Sequence, residues 1–264
     1  MIQPTPTVLL EEYLRTLKLS AILREYPVVA RQAADQKATY EQFLQQLAEL
    51  EVNQRHTASI QRRIKAAKFP VLKELDAFDF TAVPKLNKPR VLELAQCRFI
   101  ERRSNLTLNG PPGTGKTHLA IALGIEACRR KQRVRFYTAS QLANLYLEAR
   151  EDRQVTKLEG QIKRHDLIII DELGYIPLDR RGAEHLFSFF SQCYEQTSLI
   201  VTTNLPFADW PQIFANDQRL AGALIDRLTH HVDILELIGD SYRLKASRKK
   251  KPRPRKGGDT PDKT

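Results

Sequence analysis

The sequence predicts an α/β fold: a parallel sheet covered by helices, built around a phosphate-binding loop and preceded by a small all-helical module. Three observations predict it. Gly110-Pro111-Pro112-Gly113-Thr114-Gly115-Lys116-Thr117 is a complete G-x-x-x-x-G-K-T loop, lying between a β-prone run and a segment of helical spacing. Further along, short β-prone runs alternate with helical segments, the pattern of a parallel sheet covered on both faces. Ahead of the loop, from about residue 7 to residue 68, apolar residues recur at three- and four-residue steps with no long β-branched run.

Taken in order, Leu10, Leu14 and Leu17 and then Phe43, Leu44, Leu47 and Leu50 mark the helical module. Pro27 is expected to break it near the middle, and Thr39 with Gln42 reads as a capping box. Between Val52 and Lys73 there is no acidic residue, but there are Arg55, Arg62, Arg63, Lys65, Lys68 and Lys73. On a helix, Ile60, Ile64 and Ala67 share an apolar face, and Arg55, Arg62 and Lys65 lie along another. That stripe is either a solvated face or a contact for DNA phosphates. Phe69-Pro70 ends the helix, and Pro84–Pro89 reads as a linker. The expected strands are Leu106–Leu108, Val134–Thr138, Leu167–Ile170 and Leu199–Thr203. Between them come helices over Leu119–Arg130, Ser140–Ala149 and Ala183–Tyr194. The expected organisation is a helical module at 1–78, an α/β domain carrying the phosphate loop at 79–247 and a disordered basic tail at 248–264.

The 264 residues carry a formal charge of +11. Eight Lys and Arg against Asp259 and Asp262 stand in residues 248–264, a composition that forms no core. Such a tail either attracts nucleic-acid phosphates or merely keeps the chain soluble. Cys97, Cys128 and Cys193 are far apart and match no metal spacing, so they read as reduced thiols. No apolar run reaches about eighteen residues, and the first residues lack a secretory pattern; a cytoplasmic protein without a membrane span is expected.

The loop's glycines let backbone N–H groups turn toward an anion, and the following helix N-terminus adds positive partial charge. Lys116 supplies a point charge for the β- and γ-phosphates of ATP, and the Thr117 hydroxyl is placed to ligate Mg²⁺. Leu167–Ile170 is apolar throughout, so Asp171 and Glu172 at its end are costly unless they serve a cation or a reaction. Asp171 is assigned to Mg²⁺, and Glu172 to the water that attacks the γ-phosphate. A kinase whose nucleophile is a substrate hydroxyl often lacks that second carboxylate, so the pair favours hydrolysis. Asn204, after Leu199–Thr203, either contacts the γ-phosphate and its water or opens the turn before Pro206.

With these motifs in place the chain resembles AAA+ ATPases of the DnaA/DnaC branch, and within them the IstB-type transposition helpers of bacterial insertion sequences. The resemblance lies in the loop and in five further runs: Arg62-Arg63-Ile64-Lys65-Ala66-Ala67-Lys68-Phe69-Pro70, Asp171-Glu172-Leu173-Gly174-Tyr175-Ile176-Pro177, Thr203-Asn204-Leu205-Pro206-Phe207, Ala223-Leu224-Ile225-Asp226-Arg227-Leu228 and Ser241-Tyr242-Arg243-Leu244-Lys245. It implies an AAA+ core with a five-stranded parallel sheet and a reduced lid, ATP-dependent self-assembly on double-stranded DNA, and a partner transposase. It also implies a nucleotide site of Gly110–Thr117 with His118, Asn204 as sensor 1, Arg227 as the arginine reaching a neighbouring subunit's ATP, and Arg243 as the in-cis sensor 2 arginine. Without the resemblance, Arg227 beside Asp226 reads as a surface ion pair. A replicative helicase loader shares this core and stands as the alternative, to be separated by what the N-terminal module grips.

Overall fold

The computed structural model describes residues 6–175, 179–239 and 241. It divides into two compact units, residues 1–63 and 64–264.

The first unit consists of α1 (Pro6–Thr16), α2 (Ser20–Asp35) and most of α3 (Tyr40–Ala67). The chain turns where Lys18 and Lys37 take left-handed backbone angles, not at Pro27, which lies inside α2. A mid-helix proline costs about 3 kcal/mol or more. Burial of Ala21, Val29 and Ala33 along α2 offsets that cost. The capping box forms: Thr39 N donates to Gln42 Oε1 at 2.9 Å, and Gln42 N donates to Thr39 Oγ1 at 3.3 Å.

The N-cap of α2, Leu19, has no capping side chain. The buried Glu51 carboxylate of α3 takes its place, accepting Ala21 N at 2.8 Å, Ile22 N at 3.4 Å and Arg55 Nε at 2.7 Å. Arg55 also donates to Lys18 O at 2.9 Å. Burial pushes the Glu51 carboxyl up, but Arg55 and the two N–H groups outweigh it and hold it below the usual range. A depressed carboxyl contributes stability that is present above its unfolded pKa and is lost as pH falls through the folded value. Glu51→Ala is therefore expected to destabilise this unit by about 1.5–3 kcal/mol at neutral pH. In urea unfolding of the full chain, the gap between variant and parent should close as the pH falls below the carboxylate range. A gap that persists in acid would contradict this role.

In the second unit, five parallel strands stand in the order β2-β3-β4-β1-β5. They are β1 (Asn105–Asn109), β2 (Val134–Thr138), β3 (Leu167–Leu173), β4 (Ser198–Thr203) and β5 (Val232–Glu236). Successive β3 residues face opposite layers. Leu167 and Ile169 pack with the layer of α6 (Lys116–Arg129), and Ile168 and Ile170 with that of α7 (Ala139–Glu151), α9 (Arg180–Cys193) and α10 (Gln218–Thr229). A strand buried on both faces explains the unbroken apolar run. Beyond Asn204 the described residues add one short 3₁₀ stretch, α10 in the layer of α7 and α9, and β5 at the sheet's edge; the reduced lid expected after them falls outside the described residues.

Two expectations about boundaries differ from the structure. The division falls at 63/64 rather than at 78, because Ala67, Phe69, Leu75 and Phe78 pack into the sheet's core. The Pro84–Pro89 stretch is no linker. Val83 and Leu86 are buried, and Asn87 Oδ1 accepts Arg90 N at 3.0 Å to start α4 (Lys88–Leu94). Pro89 sits in the first turn, where its missing N–H costs nothing. Two further helices, α5 (Arg98–Glu101) and α8 (Val155–Ile162), complete the unit.

Candidate nucleotide site

A parallel sheet presents the carboxyl ends of its strands on one edge, where ligands bind. Here β4 lies between β1 and β3. That order gathers the loop after β1, Glu172 of β3 and Asn204 after β4 around a cavity of about 470 Å³, with Asp171 buried behind its lining.

Gly113 and Gly115 take positive φ, +84° and +96°. A Cβ on Gly113 would run into Ser241, and one on Gly115 into the Phe78 ring. Only glycine meets both the backbone angle and the close approach. Straight after Gly115 comes α6, whose first N–H groups lack intrahelical partners, as an anion site requires. Within the loop, Lys116 Nζ donates to Gly110 O at 2.6 Å and Pro111 O at 2.8 Å, and Thr114 Oγ1 to Pro111 O at 2.9 Å.

Asp171 is buried, and its Oδ1 accepts Thr117 Oγ1 at 3.0 Å and Thr202 Oγ1 at 2.5 Å. Burial raises its carboxyl above the ordinary range, while the two hydroxyls and the Lys116 charge pull the other way. A carboxylate and a hydroxyl converging beside a phosphate loop are the hard oxygen donors that suit Mg²⁺, which needs only one or two protein ligands besides phosphate and water. The residues fit that ion. Glu172 differs from its neighbour: it is exposed, lines the cavity and holds a left-handed φ of 61°. Its N–H donates to Thr202 Oγ1 at 2.9 Å. The β3–β4 register slips between Ile170 and Leu173, a bulge at this position. Bulges re-aim side chains; this one gives two adjacent acids different surroundings.

Of the other expected residues, Pro112–His118 and Asn204 line the cavity. Arg227 does not. Its guanidinium lies 4.6 Å from the Phe187 ring centroid and donates to Ala223 O at 3.3 Å. Arg243 and the basic tail fall outside the described residues. Along α3, Arg55 is not a cation without a counter-charge, because Glu51 sits one turn earlier, just outside the acid-free window. Arg63 bonds the Ser59 hydroxyl, while Arg62, Lys65 and Lys68 are exposed.

Two contributions escaped the motif reading. Thr202, fully buried on β4, holds both carboxylate residues through one hydroxyl. A threonine two positions before Asn204 was the available signal. The segment from Val71 to Ala82 walls the cavity: His118 Nε2 lies 2.9 Å from Glu74 O, and the Phe78 ring meets the His118 imidazole edge-on at 5.2 Å.

The strand order, the loop after β1, the acidic pair on β3 and the amide after β4 define an AAA+ ATP-binding core. The family model described as IstB-like ATP binding protein matches residues 12–250. The chain is 39% identical over 240 residues to the ATP-binding protein of insertion sequence IS21 from Pseudomonas aeruginosa, covering 91% of this chain and 90% of that one. It is 38% identical over 239 residues to the ATP-binding protein of insertion sequence IS5376 from Geobacillus stearothermophilus, covering 90% and 95%. Among solved structures, AMPPCP-bound DnaA from Aquifex aeolicus superposes with a TM-score of 0.51 at 22% identity, covering 69% of this chain and 56% of that one, a likeness of fold. The chain belongs to the IstB-like ATP-binding proteins of insertion sequences.

Proposed function

We infer that the protein is a Mg²⁺-dependent ATPase that self-assembles on duplex DNA in its ATP form and recruits a partner transposase. The observation that carries the ATPase reading is the divergence of Asp171 and Glu172, one buried between two hydroxyls and the other turned into the cavity. Lys116 and the α6 N-terminus bind the phosphates, and Thr117 with Asp171 would hold Mg²⁺. Bound there, Mg²⁺ supplies neutralisation of charge on the phosphate oxygens. Glu172 orients and deprotonates the attacking water, and Asn204 contacts the γ-phosphate. Arg227, outside its own cavity, is suited to act on a neighbouring subunit's ATP; Arg243 is assigned to the ATP of its own subunit. The DNA reading is supported by membership among insertion-sequence proteins and by exposed Arg62 and Lys65 on α3 and Lys68 just after it. It assigns the helical unit, residues 1–63, with the exposed cations that follow it at 65 and 68, to DNA contact and assembly, and the sheet unit up to 247 to ATP.

Mixing variants tests the shared site. Arg227→Ala should leave ATP binding by the monomer near normal while lowering hydrolysis and oligomerisation together. Mixed with Lys116→Ala subunits, it should recover part of the phosphate release, since some interfaces then pair an intact Lys116 with an intact Arg227. No recovery at any ratio would place Arg227 in cis. Hydrolysis stimulated by long duplex supports the transposition role, whereas stable co-purification with a hexameric helicase would favour a loader.

Thr202 acts as a positioning residue. Thr202→Val removes one donor and one acceptor, each serving a charged or strained group, at about 1.5–3 kcal/mol. The kcat for ATP hydrolysis should fall about ten- to a hundredfold with KM changed little, and Thr202→Ser should restore it. Equal loss in the valine and serine variants would mean that packing, not the hydroxyl, matters.

A further inference from the structure

In a parallel sheet the crossover helices run back, so their C-termini gather at the amino ends of the strands, on the edge away from the nucleotide cavity. Bonds knit that edge together: Asn105 N donates to His231 O at 2.7 Å, Leu199 N to Asn105 Oδ1 at 3.0 Å, Ser198 N to Asp166 O at 3.2 Å and Asp166 N to Arg133 O at 2.8 Å. With strands about 4.8 Å apart, the edge is about 19 Å wide, and a rise of about 3.3 Å per residue sets it about 20 Å from Glu172.

Cations from three distant stretches of sequence meet there, all exposed: Arg98, Arg102 and Arg103 around α5, Arg130 after α6, and Lys163 and Arg164 after α8. Arg130 is held by neutral acceptors, Ala95 O at 3.2 Å and Gln96 Oε1 at 2.8 Å, so its charge is oriented without being cancelled. Among the described residues the other five have no ion-pair partner within 4.0 Å. Of the acids nearby, Asp166 is occupied by Arg133 through bonds of 2.8, 2.9 and 3.1 Å, and Glu93 and Asp233, which share a small pocket with Arg98 and Arg102, are occupied by Arg90. Helix C-termini favour a nearby cation, by about 0.3–1 kcal/mol each. That explains one cation per helix, but α9 ends on the same edge in Tyr194-Glu195 and carries none. Clustered like charges repel unless a polyanion answers them.

We propose that this edge is a second binding surface for the phosphate backbone of duplex DNA, on the ATPase unit and made by residues other than those of α3. A 19 Å length of duplex carries about eleven phosphates, enough to face every one of these cations. Contact with the backbone needs no base-specific side chain. The proposal rests on the duplex-binding reading above but assigns it to different residues.

The test compares four full-length proteins on one long duplex at several salt concentrations with ATP: the parent, the quadruple variant Arg98→Gln/Arg102→Gln/Lys163→Gln/Arg164→Gln, the single variant Glu195→Lys, and the triple variant Arg62→Ala/Lys65→Ala/Lys68→Ala at the end of α3. Each lost phosphate contact flattens the log–log salt slope by about 0.9. The quadruple variant should lose two or more such steps and bind about tenfold or more weakly near 0.1 M salt, with ATP affinity unchanged because the cavity is on the opposite edge. Glu195→Lys, adding a cation to the same edge, should steepen the slope by about 0.9 and tighten binding. Parental slope and affinity in both the quadruple and the Glu195→Lys variants would overturn the proposal, and the cations would then suit an acidic protein partner. If the quadruple variant fails to bind ATP, the Glu195→Lys result decides alone. If the parent itself shows no salt-dependent duplex binding, the DNA reading of the whole protein fails, and this surface with it.

Discussion

Lys116→Ala is expected to abolish ATP binding at ordinary nucleotide concentrations, and with it every ATP-dependent assembly. At about 4 Å from a phosphate charge, with an effective dielectric near 20, an ammonium contributes about 4 kcal/mol, about a thousandfold in affinity. The same ammonium holds Gly110 O and Pro111 O, so the alanine also loosens the turn that presents the loop. Titration with a fluorescent ATP analogue measures the loss, and thermal unfolding shows whether the fold is intact. A well-folded alanine variant that binds ATP within tenfold of the parent would remove Lys116 from the site.

Glu172→Gln is expected to do something different in kind. The backbone N–H of residue 172 keeps its bond to Thr202, so the amide should sit where the carboxylate sat. It cannot take a proton from water, and loss of a general base costs about 10²–10⁴ in rate. ATP should therefore bind with near-parental affinity while phosphate release falls by at least a hundredfold. Normal turnover in the glutamine variant would show that another group activates the water.

These two residues were legible in the sequence because each stands at a fixed offset inside a motif whose spacing is set by phosphate chemistry. The strands were legible for a related reason. Leu167–Ile170, buried on both faces, leaves an unbroken apolar run, and the helix after the loop must begin at Lys116. What stayed hidden depends on contacts between residues distant in sequence. Glu51 caps α2 from thirty residues away, which also explains why the arginine it holds, Arg55, looked unpaired. Pro27 stays within a helix because packing outweighs its local cost. Phe78 and Glu74 join the nucleotide wall from a stretch with no periodicity. Thr202 reads as an ordinary β-prone residue until the β3–β4 register brings its hydroxyl to Asp171.

If the protein self-assembles on duplex DNA in its ATP form, as proposed, hydrolysis should take the assembly apart. Sedimentation of the full chain with a long duplex tests it most directly, in three samples: no nucleotide, ATP, and ATP with Glu172→Gln. Small species are expected without nucleotide, a large protein–DNA assembly with ATP that decays as ATP is consumed, and the same assembly persisting in the Glu172→Gln sample. Single protomers bound to the duplex in all three samples, indifferent to nucleotide, would contradict it.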